Sequence, residues 1–468
     1  MESGTKTIVF ALFLAEISAT FETAMIYAAV PKLILAFGDP ITAGWLVTVH
    51  LLIGAAVSVL VGRLGDVMGR KTMMLIMLAI AAAGSVMSAA TSNFGVVLAG
   101  RALQGLAVAV IPLTIGILRE SLPAERVPVA VGLMTTGQGV GTAVGLVLGG
   151  AIVDYFDWHW LFVVSAILLV ASWIAVKILI PARPGIPPKE PVDWMEGVLL
   201  APGIMSLLFG ISLSKGLGWS NPQVLGWVAL GLLVMAYWAR RSLKAREPFV
   251  DLRLFAKRNI AIANGLMVLI SFGTMQIVFV FSIFIQSPKW TLAGLGLSAT
   301  AAGLAKLPSN FLSLAAGPLS GFTSSRMGNR VTVFSGMLLA AVGWFASMGL
   351  PSTLVEVILL LCVISFGTTI LHAALYNVIV DAVPENRTGE AVGTISVVRN
   401  IAGSIGAQII AVMLATDALI TSNGVQLPSP TGFRLTMGWI AGLTLAGAAM
   451  ALLLRSRMAG KEVDKQAG

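Results

Sequence analysis

The chain has 468 residues, of which 57% are hydrophobic and only 11% are charged. Ordinary soluble domains carry roughly a quarter charged residues, so this composition excludes a water-soluble fold. The net charge of +9 does not indicate nucleic acid as a partner, because the basic residues are scattered through short connections without an RNA- or DNA-binding motif.

Apolar runs of about 20 residues recur along the chain, and each is long enough to cross a bilayer as a helix. Backbone groups in lipid must be paired within their own segment, which favours helices, and the alternating pattern of a membrane barrel is absent. We predict an all-α integral membrane protein whose fourteen transmembrane helices cover residues 7–32, 42–62, 72–90, 95–118, 127–153, 161–180, 194–213, 224–238, 259–285, 298–322, 331–349, 354–380, 391–414 and 437–454.

The predicted spans divide into six, two and six. We expect an N-terminal six-helix bundle over residues 1–182 and a linker with two additional transmembrane helices over 183–258. A C-terminal six-helix bundle over 259–456 and a cytoplasmic tail over 457–468 complete the chain. This division favours two bundles that rock around a binding site at the membrane midplane.

The basic residues predict the orientation. With both termini in the cytoplasm, most of the 30 lysines and arginines lie on cytoplasmic connections or tails. The exceptions outside are Lys32, Lys215, Lys289 and Arg434. The positive-inside rule favours this arrangement, and we expect a multi-pass protein of the bacterial inner (plasma) membrane.

The connection after the second predicted span, residues 62–71, reads GRLGDVMGRK and resembles the signature loop of the major facilitator superfamily. Its glycines would permit close helix approach, while its charged side chains could form a network that breaks when the bundles separate. We interpret Gly62, Arg63, Asp66, Arg70 and Lys71 as a conformational gate. The alternative is a solvated turn that only sets the topology.

The fourth span contains RALQG at residues 101–105, which resembles the second motif of the superfamily. In that motif a buried arginine is associated with proton coupling. An arginine near the middle of a membrane costs several kcal/mol unless it is paired, so Arg101 needs a partner. Glu22 and Glu16 in the first span are the available acids, and a structural ion pair without a part in transport is the alternative.

Glycines in the fifth span reproduce the spacing of the superfamily's antiporter motif, although Leu146 stands where that motif has proline. Small residues at helical spacing allow close packing, and a leak-proof interface suits strict exchange. Plain helix packing explains the same residues, which are Gly132, Gly141, Gly145, Gly149 and Gly150.

Residues 21–31, FETAMIYAAVP, resemble the signature of the fourteen-helix drug:proton antiporters, with Glu22 in place of the usual aspartate. Residues 158–162, 247–255 and 399–406 also resemble recurring segments of that family, so the resemblance covers essentially the whole chain. It implies a monomeric secondary transporter, not an enzyme, that exports small amphipathic organic compounds. The proton gradient drives it, and it needs no cofactor.

Glu22 lies near the midplane of its span, where a carboxyl held away from water can change its protonation state. We expect Glu22 to bind a proton from outside and release it inside, in competition with Arg101 or a cationic substrate. Glu16 is six residues away, about 120° round the helix, so the two acids need different partners. One could pair with Arg101 while the other faces the cavity, and we favour Glu22 for the cavity.

Lys306 lies about 12 Å deep in its predicted span, further than a lysine stem comfortably reaches to the surface. It needs a partner or a wet cavity. Two roles for Lys306 are therefore considered: contact with an anionic substrate, or a salt bridge to Glu22 or Glu16. For Arg399 we favour a role in helix packing, with substrate contact as the alternative.

Several further side chains are candidates for the wall of a substrate cavity, although polar groups in spans often bond between helices. A lone histidine is also more often a hydrogen-bonded core residue than a ligand. The candidates are Tyr27, Met25, Gln104, Gln138, Gln276, Phe272, Met275, Phe279, Tyr376, Asn377, His50 and His372.

Two other readings compete with drug export by proton antiport. The first is uptake or export of a specific organic anion or carboxylate through Lys306 and Arg101. The second is a membrane protein that does not transport, and it has little support in the sequence. No phosphate-binding loop is present to indicate ATP, and no cluster of metal ligands is present.

Overall fold

The computed structural model describes residues 3–123, 126–182, 194–245, 252–380 and 388–454. Helices dominate these ranges, as the apolar Ala-, Gly- and Leu-rich sequence predicts. They are α1 (Ser3–Phe37), α2 (Pro40–Met68), α3 (Arg70–Ala89), α4 (Phe94–Gln104), α5 (Val110–Ser121), α6 (Val127–Tyr155), α7 (His159–Leu179), α8 (Trp194–Leu217), α9 (Pro222–Lys244), α10 (Arg258–Phe272), α11 (Ile277–Gln286), α12 (Ala299–Met327), α13 (Asn329–Ser347), α14 (Leu354–Val380), α15 (Thr388–Leu414) and α16 (Pro430–Ala451).

Several helices begin at a capping side chain that follows a short turn. The Asp39 carboxylate accepts hydrogen bonds from the backbone N–H groups of Ile41 and Thr42 at 2.8 and 3.0 Å, and Pro40 occupies the first helical position of α2. Such caps satisfy N–H groups that have no partner within the helix. They explain why a sharp reversal separates α1 from α2.

The turn between α6 and α7 is organised in the same way by Asp157. The backbone N–H of His159 donates to the Asp157 carboxylate at 3.0 Å. This hydrogen bond holds the pKa of Asp157 below its ordinary value. The imidazole of His159 contacts the same oxygen and also lies 3.1 Å from the carbonyl oxygen of Thr91, so it ties this turn to the one after α3.

Two of the predicted spans are broken helices. A 3-10 turn over Gly105–Ala109 separates α4 from α5, and a second over Thr274–Gln276 separates α10 from α11. A Cβ on Gly105 would lie 2.6 Å from the carbonyl oxygen of His50, so the first break lets α2 approach closely. At the second break, the Gln276 amide donates to the carbonyl oxygens of Ser271 and Gly403.

Length and hydropathy identify 12 candidate membrane spans among the described residues. The two predicted spans that fall short are α8, whose apolar part is Val198–Ser214, and α12, which carries Lys306 and several small polar residues. The multi-pass helical membrane fold is therefore confirmed. The count of fourteen spans stays a prediction, as do the predicted bundle limits, because residues 183–193 and 246–251 lie outside the described ranges.

A short antiparallel pair, β1 (Leu419–Ile420) and β2 (Gln426–Leu427), lies in the connection between α15 and α16. No strand is predicted for these residues. The backbone N–H of Gln426 donates to the carbonyl oxygen of Gly38 at 2.8 Å, so this connection touches the α1–α2 turn. We call the end of the molecule that carries Gly38 the first-turn end, and the end that carries Gly69 the second-turn end.

The described buried side chains form four clusters: one core in each half of the chain, a third core between the halves, and a smaller fourth cluster that joins α8 and α9 to α2 and α15. One cluster draws only on α1 to α7, and another only on α10 to α16 and the residues next to them. The third cluster combines residues of α1, α2, α6 and α7 with residues of α11 to α16. α8 and α9 pack against each other, and α8 also packs against α2 and α15.

Candidate functional site

Glu22 lies in the interior of the N-terminal half, between α1, α3 and α7. Its side chain is fully buried, and one carboxylate oxygen is 3.1 Å from the hydroxyls of both Ser85 and Ser165. The other carboxylate oxygen is buried without a hydrogen-bond partner. A half-satisfied buried carboxyl is costly, so its protonation state strongly affects the energy of its surroundings.

Arg101 is also fully buried and is held by uncharged acceptors. Its Nε donates to the Leu46 carbonyl oxygen at 3.0 Å, and one terminal nitrogen donates to the Gln104 side chain at 2.9 Å. That same nitrogen is 3.4 Å from the backbone carbonyl of Glu22, while the other terminal nitrogen has no partner.

The two charged groups are linked through a relay of neutral side chains. The Gln104 amide donates to the Ser85 hydroxyl at 2.7 Å, and Ser85 in turn contacts the Glu22 carboxylate. No ion pair within 4 Å joins Arg101 and Glu22, both of which are described side chains. The arrangement thus brings together the predicted acid and arginine, and leaves each with an unsatisfied atom.

Glu16 has a separate environment, as the helical spacing predicts. One of its oxygens accepts a hydrogen bond from the Gln138 amide of α6 at 3.1 Å, and the other has no partner. Glu16 is buried and does not contact Arg101. Of the two acids, Glu22 is the one that described hydrogen bonds link to Arg101.

A central cavity of about 210 Å³ lies between the two halves. Its wall combines apolar side chains with threonine hydroxyls, one amide and one cation. The lining residues are Ala19, Thr20, Thr23, Ala24, Tyr27, Leu51, Val108, Ile111, Thr142, Leu146, Val278, Arg399 and Asn400. Apolar walls with a few polar groups are typical of sites for small organic molecules.

Neither predicted proton-carrying acid lines this cavity. We expected Glu22 to face it, and the structure corrects this expectation, because α1 turns Thr23 and Tyr27 toward the cavity and Glu22 into the bundle. Beside the cavity, a ring nitrogen of His50 lies 3.0 Å from the Thr23 hydroxyl. The other ring nitrogen of His50 is buried without a partner.

Lys306 lines a small cleft that shares Leu146 and Val278 with the central cavity. Its ammonium group donates to the Ser309 hydroxyl at 2.9 Å and to the hydroxyl of Ser365. The expected alternative of a salt bridge to Glu22 or Glu16 is wrong, because those carboxylates are bound elsewhere in the N-terminal half.

Arg399 lies at the cavity wall on α15. Its guanidinium donates to the Tyr376 hydroxyl at 3.3 Å. For Arg399 we favoured helix packing over substrate contact, and the cavity wall includes it; Tyr376, a candidate for substrate contact, is not among the lining residues. His372, on the same helix as Tyr376, has a buried ring nitrogen without a partner.

Most of the other candidates for the cavity wall lie elsewhere. Met25 and Phe279 are fully buried in the core between the halves, and Gln104, Gln138 and Gln276 are engaged in the contacts given above. Phe272, Met275 and Asn377 are also absent from the described cavity lining. Residue type alone favours these positions for the cavity wall, and the rotation of their helices turns them away from it.

The gate loop contacts its own half of the protein. Arg70 forms a 3.1 Å salt bridge to Glu120 at the end of α5, and Lys71 donates to the carbonyl oxygen of Lys177 at 2.8 Å. The side chains of Arg63 and Asp66 lie outside the described part of the structure. Gly62 has open space where a Cβ would lie, so its expected role in close helix approach is wrong.

Four of the five glycines of the fifth span do lie at helix contacts. Gly141, Gly145 and Gly149 face α1, and a Cβ on Gly145 would lie 2.8 Å from Ala24 Cβ. Gly150 faces α12 of the other half, where a Cβ would lie 2.5 Å from the Ala299 carbonyl oxygen. Gly132 has no neighbour within 4 Å of an added Cβ, which corrects its assignment to helix packing.

The two halves meet at the first-turn end. The Asp154 carboxylate of α6 caps α12, accepting from the backbone N–H groups of Ala299 and Thr300 at 2.9 and 2.7 Å and from the Thr300 hydroxyl at 2.6 Å. The Gln286 amide donates to the Ala28 carbonyl oxygen at 3.0 Å. Further contacts join the Thr48 hydroxyl to the Gln408 amide oxygen and the Ser282 hydroxyl to the carbonyl oxygen of Tyr27.

The hydrogen bonds described between the two halves lie toward the first-turn end. Away from that end, several glycines of α2, α6 and α12 have open space at the Cβ position. They are Gly62, Gly132, Gly139, Gly317 and Gly321. The described contacts thus close the cavity at the first-turn end. This is the geometry of a transporter that opens to one side at a time.

Sequence reasoning missed the neutral partners of the buried charges. Ser85, Ser165, Ser309 and Ser365 are isolated serines in apolar helices, and nothing in their local sequence distinguishes them from serines that bond to their own helix. Asp154 lies at the end of a span and reads as a surface residue. Asn400 had a signal, because it follows Arg399 in a segment that resembles the drug:proton antiporters.

Comparison with known proteins agrees with this architecture. The chain is 28% identical over 80% of its length to the tetracenomycin C resistance and export protein of Streptomyces glaucescens, covering 69% of that protein. It is 25% identical to the riboflavin transporter RibZ of Clostridioides difficile, over 77% of each chain. It is also 25% identical to a multidrug resistance protein B homologue of Mycobacterium tuberculosis, over 90% of this chain and 79% of that one.

Solved structures share the fold. A bacterial homologue of the human lysosomal transporter Spinster, in an inward-facing and unoccupied conformation, superimposes with a TM-score of 0.68 at 14% identity over 97% of each chain. An auto-inhibited POT family peptide transporter also gives a TM-score of 0.68, at 15% identity over 97% of this chain and 98% of that one. Residues 12–407 match the Major Facilitator Superfamily, and the chain belongs to that family.

Proposed function

We propose that the protein is a proton-coupled secondary transporter that exports small amphipathic organic compounds by alternating access. The observation that carries the proposal is the buried relay from Glu22 through Ser85 and Gln104 to Arg101. The carboxyl and the arginine share one network away from water. Gain or loss of a proton by the carboxyl therefore changes the energy of this network strongly.

The acid of the relay and the cavity lie on different faces of α1. Thr23 and Tyr27 on α1 line the cavity, while Glu22 on the same helix points into the bundle. A change in the charge of Glu22 would therefore act on the position of α1 and, through it, on contacts such as Ser282 to Tyr27 between the halves. This supports coupling between protonation and opening.

The direction of transport rests on the relatives. The names of the Streptomyces glaucescens protein and of the Mycobacterium tuberculosis homologue describe export or drug resistance. With the cytoplasmic orientation of the termini that the basic residues favour, the first-turn end faces outside. The closed end would then be the outer one, and the cavity would load from the cytoplasm.

The test is transport of tetracenomycin C, the compound in the name of the Streptomyces relative, by purified protein in proteoliposomes with an imposed pH gradient. We expect accumulation that collapses when a protonophore is added. Glu22→Gln should abolish the response to the gradient, because an amide cannot carry the proton. Glu356→Gln, at an exposed acid on the first-turn end, is the control and should respond like wild type.

Undiminished gradient-driven transport by Glu22→Gln would refute the assignment of Glu22. Transport by the wild type that ignores the gradient would refute proton coupling itself.

A further inference from the structure

We infer that the central cavity takes amphipathic organic anions, with Lys306 and Arg399 as the cationic contacts for a carboxylate or a similar acidic group. The inference rests on the proposed function and narrows it from organic compounds in general to one charge class. It follows from which charged groups reach the cavity and which do not.

The described walls carry positive charge only. Arg399 is the single ionised side chain among the residues that line the central cavity, and Lys306 is the single one in the adjoining cleft. The two spaces share Leu146 and Val278, so the two cations border neighbouring spaces between the halves. No aspartate or glutamate belongs to either lining.

Lys306 has hydrogen-bond partners but no counter-charge. Both acceptors of its ammonium group are serine hydroxyls, Ser309 and Ser365. No described carboxylate lies within 4 Å of it. Neutral hydroxyls orient an ammonium group without neutralising it, and an uncompensated charge at this depth in a membrane is costly. A bound anion would remove that cost.

Arg399, on α15, is the cation of the central cavity. A guanidinium offers five N–H donors, and the described side-chain partner is the Tyr376 hydroxyl at 3.3 Å. The neighbouring cavity residue Asn400 adds an amide that can donate to an acidic group. An arginine of this kind is suited to a planar carboxylate, which it can bind through two parallel hydrogen bonds.

The acids that could attract a cation are committed elsewhere. Glu22 accepts from Ser85 and Ser165 inside the N-terminal half, and Glu16 accepts from Gln138. A cationic compound in the cavity would meet two like charges and no carboxylate, which disfavours it. Tyr27, Leu51, Ile111 and Val278 supply an apolar wall for the rest of an amphipathic anion.

The test is equilibrium binding to the purified full-length protein in lipid nanodiscs. Three probes share one ring system and differ in charge: naphthaleneacetate, naphthaleneacetamide and naphthylmethylamine. We expect the wild type to bind the carboxylate about tenfold tighter than the amide, and the amine most weakly. Lys306→Met should remove the preference for the carboxylate and leave amide binding unchanged.

Two further variants keep the result interpretable. Lys177→Met removes an exposed cation that lies over the Trp173 ring of α7, a helix without a residue in either lining, and should bind all three probes like wild type. Arg399→Gln also lowers the positive charge of the cavity and serves as the test if Lys306→Met does not fold. Like Lys306→Met, it should weaken binding of the carboxylate.

Equal binding of the three probes, tighter binding of the amine, or no measurable binding of the carboxylate by the wild type would overturn the inference. So would an unchanged preference in both Lys306→Met and Arg399→Gln. These outcomes are distinct from failure of the proposed proton coupling, because binding is measured without a gradient and with Glu22 intact.

Discussion

The pairing of Glu22 with Arg101 depends on groups that are neutral. Ser85 and Gln104 stand between the carboxylate and the guanidinium, so the two charges share a network without direct contact. Removing one charge from a buried pair leaves the other uncompensated, whereas removing both can be nearly neutral. The stability of the N-terminal half should therefore depend on the two residues jointly.

Arg101→Met should destabilise the protein by about 3 kcal/mol, because the Glu22 charge then has no compensating cation. The double variant Glu22→Gln with Arg101→Met should recover much of this loss. Thermal unfolding of the single and double variants in one detergent measures both effects. A double variant whose loss equals the sum of the single losses would contradict an energetic link between the two residues.

At the scale of helices, α6 serves two interfaces with different residues. Gly141, Gly145 and Gly149 lie against α1 at a spacing of four residues, and Gly150 turns toward α12 of the other half. Gly132 lies on the same helix and faces open space. One glycine-rich helix therefore packs within its half and also closes against the other half.

Gly145→Val should lower the unfolding temperature, because the added Cβ would lie 2.8 Å from Ala24 Cβ and 2.9 Å from the Phe21 carbonyl oxygen. Overpacking of this kind costs about 1–3 kcal/mol. Gly132→Val is the matched control, with the same substitution on the same helix, and should unfold near the wild-type temperature. Equal losses in the two variants would mean that the helix tolerates no valine at all, and would contradict the assigned contact.

The same helices mark how far the sequence could predict the structure. Apolar runs predict where helices lie, and the cost of a buried Arg101 predicts an acidic neighbour. Residue type alone does not predict which side of a helix faces the cavity. For that reason Met25 and Phe279 were expected at the cavity wall and lie in the core, and Glu22 faces the bundle interior.

The sequence also does not predict the breaks within helices. The span predicted at residues 259–285 contains Gly273, where the backbone departs from helix. The Gln276 amide donates to the carbonyl oxygens of Ser271 and of Gly403 on α15. A lone glycine in an apolar run is common in membrane helices without a break. The contact with Gly403 of the neighbouring helix α15 stabilises the break here.

At the scale of the whole molecule, Asp154 joins the halves. Its carboxylate caps α12 with three hydrogen bonds, although it belongs to α6. Anions at helix N-termini are stabilised both by free N–H groups and by the helix dipole. The contact can form only while the first-turn end is closed, so it favours the conformation described here.

Asp154→Asn should open the first-turn end more often, because the amide loses the charge and one acceptor. In a Cys362→Ser background with Ala28→Cys, which places a thiol at a buried contact between the halves, we expect several-fold faster reaction with a water-soluble maleimide. Asp157→Asn, at an acid bound within its own turn, is the control. An unchanged rate in Asp154→Asn would show that the cap does not hold the halves together.

The central claim is that Glu22 itself gains and loses a proton. Infrared difference spectroscopy of the purified protein between acidic and alkaline pH detects the carbonyl band of a protonated carboxyl directly and needs no substrate. We expect a band from a buried carboxyl that disappears in Glu22→Gln and persists in Glu16→Gln. A spectrum of Glu22→Gln that keeps every carboxyl band of the wild type would contradict the account.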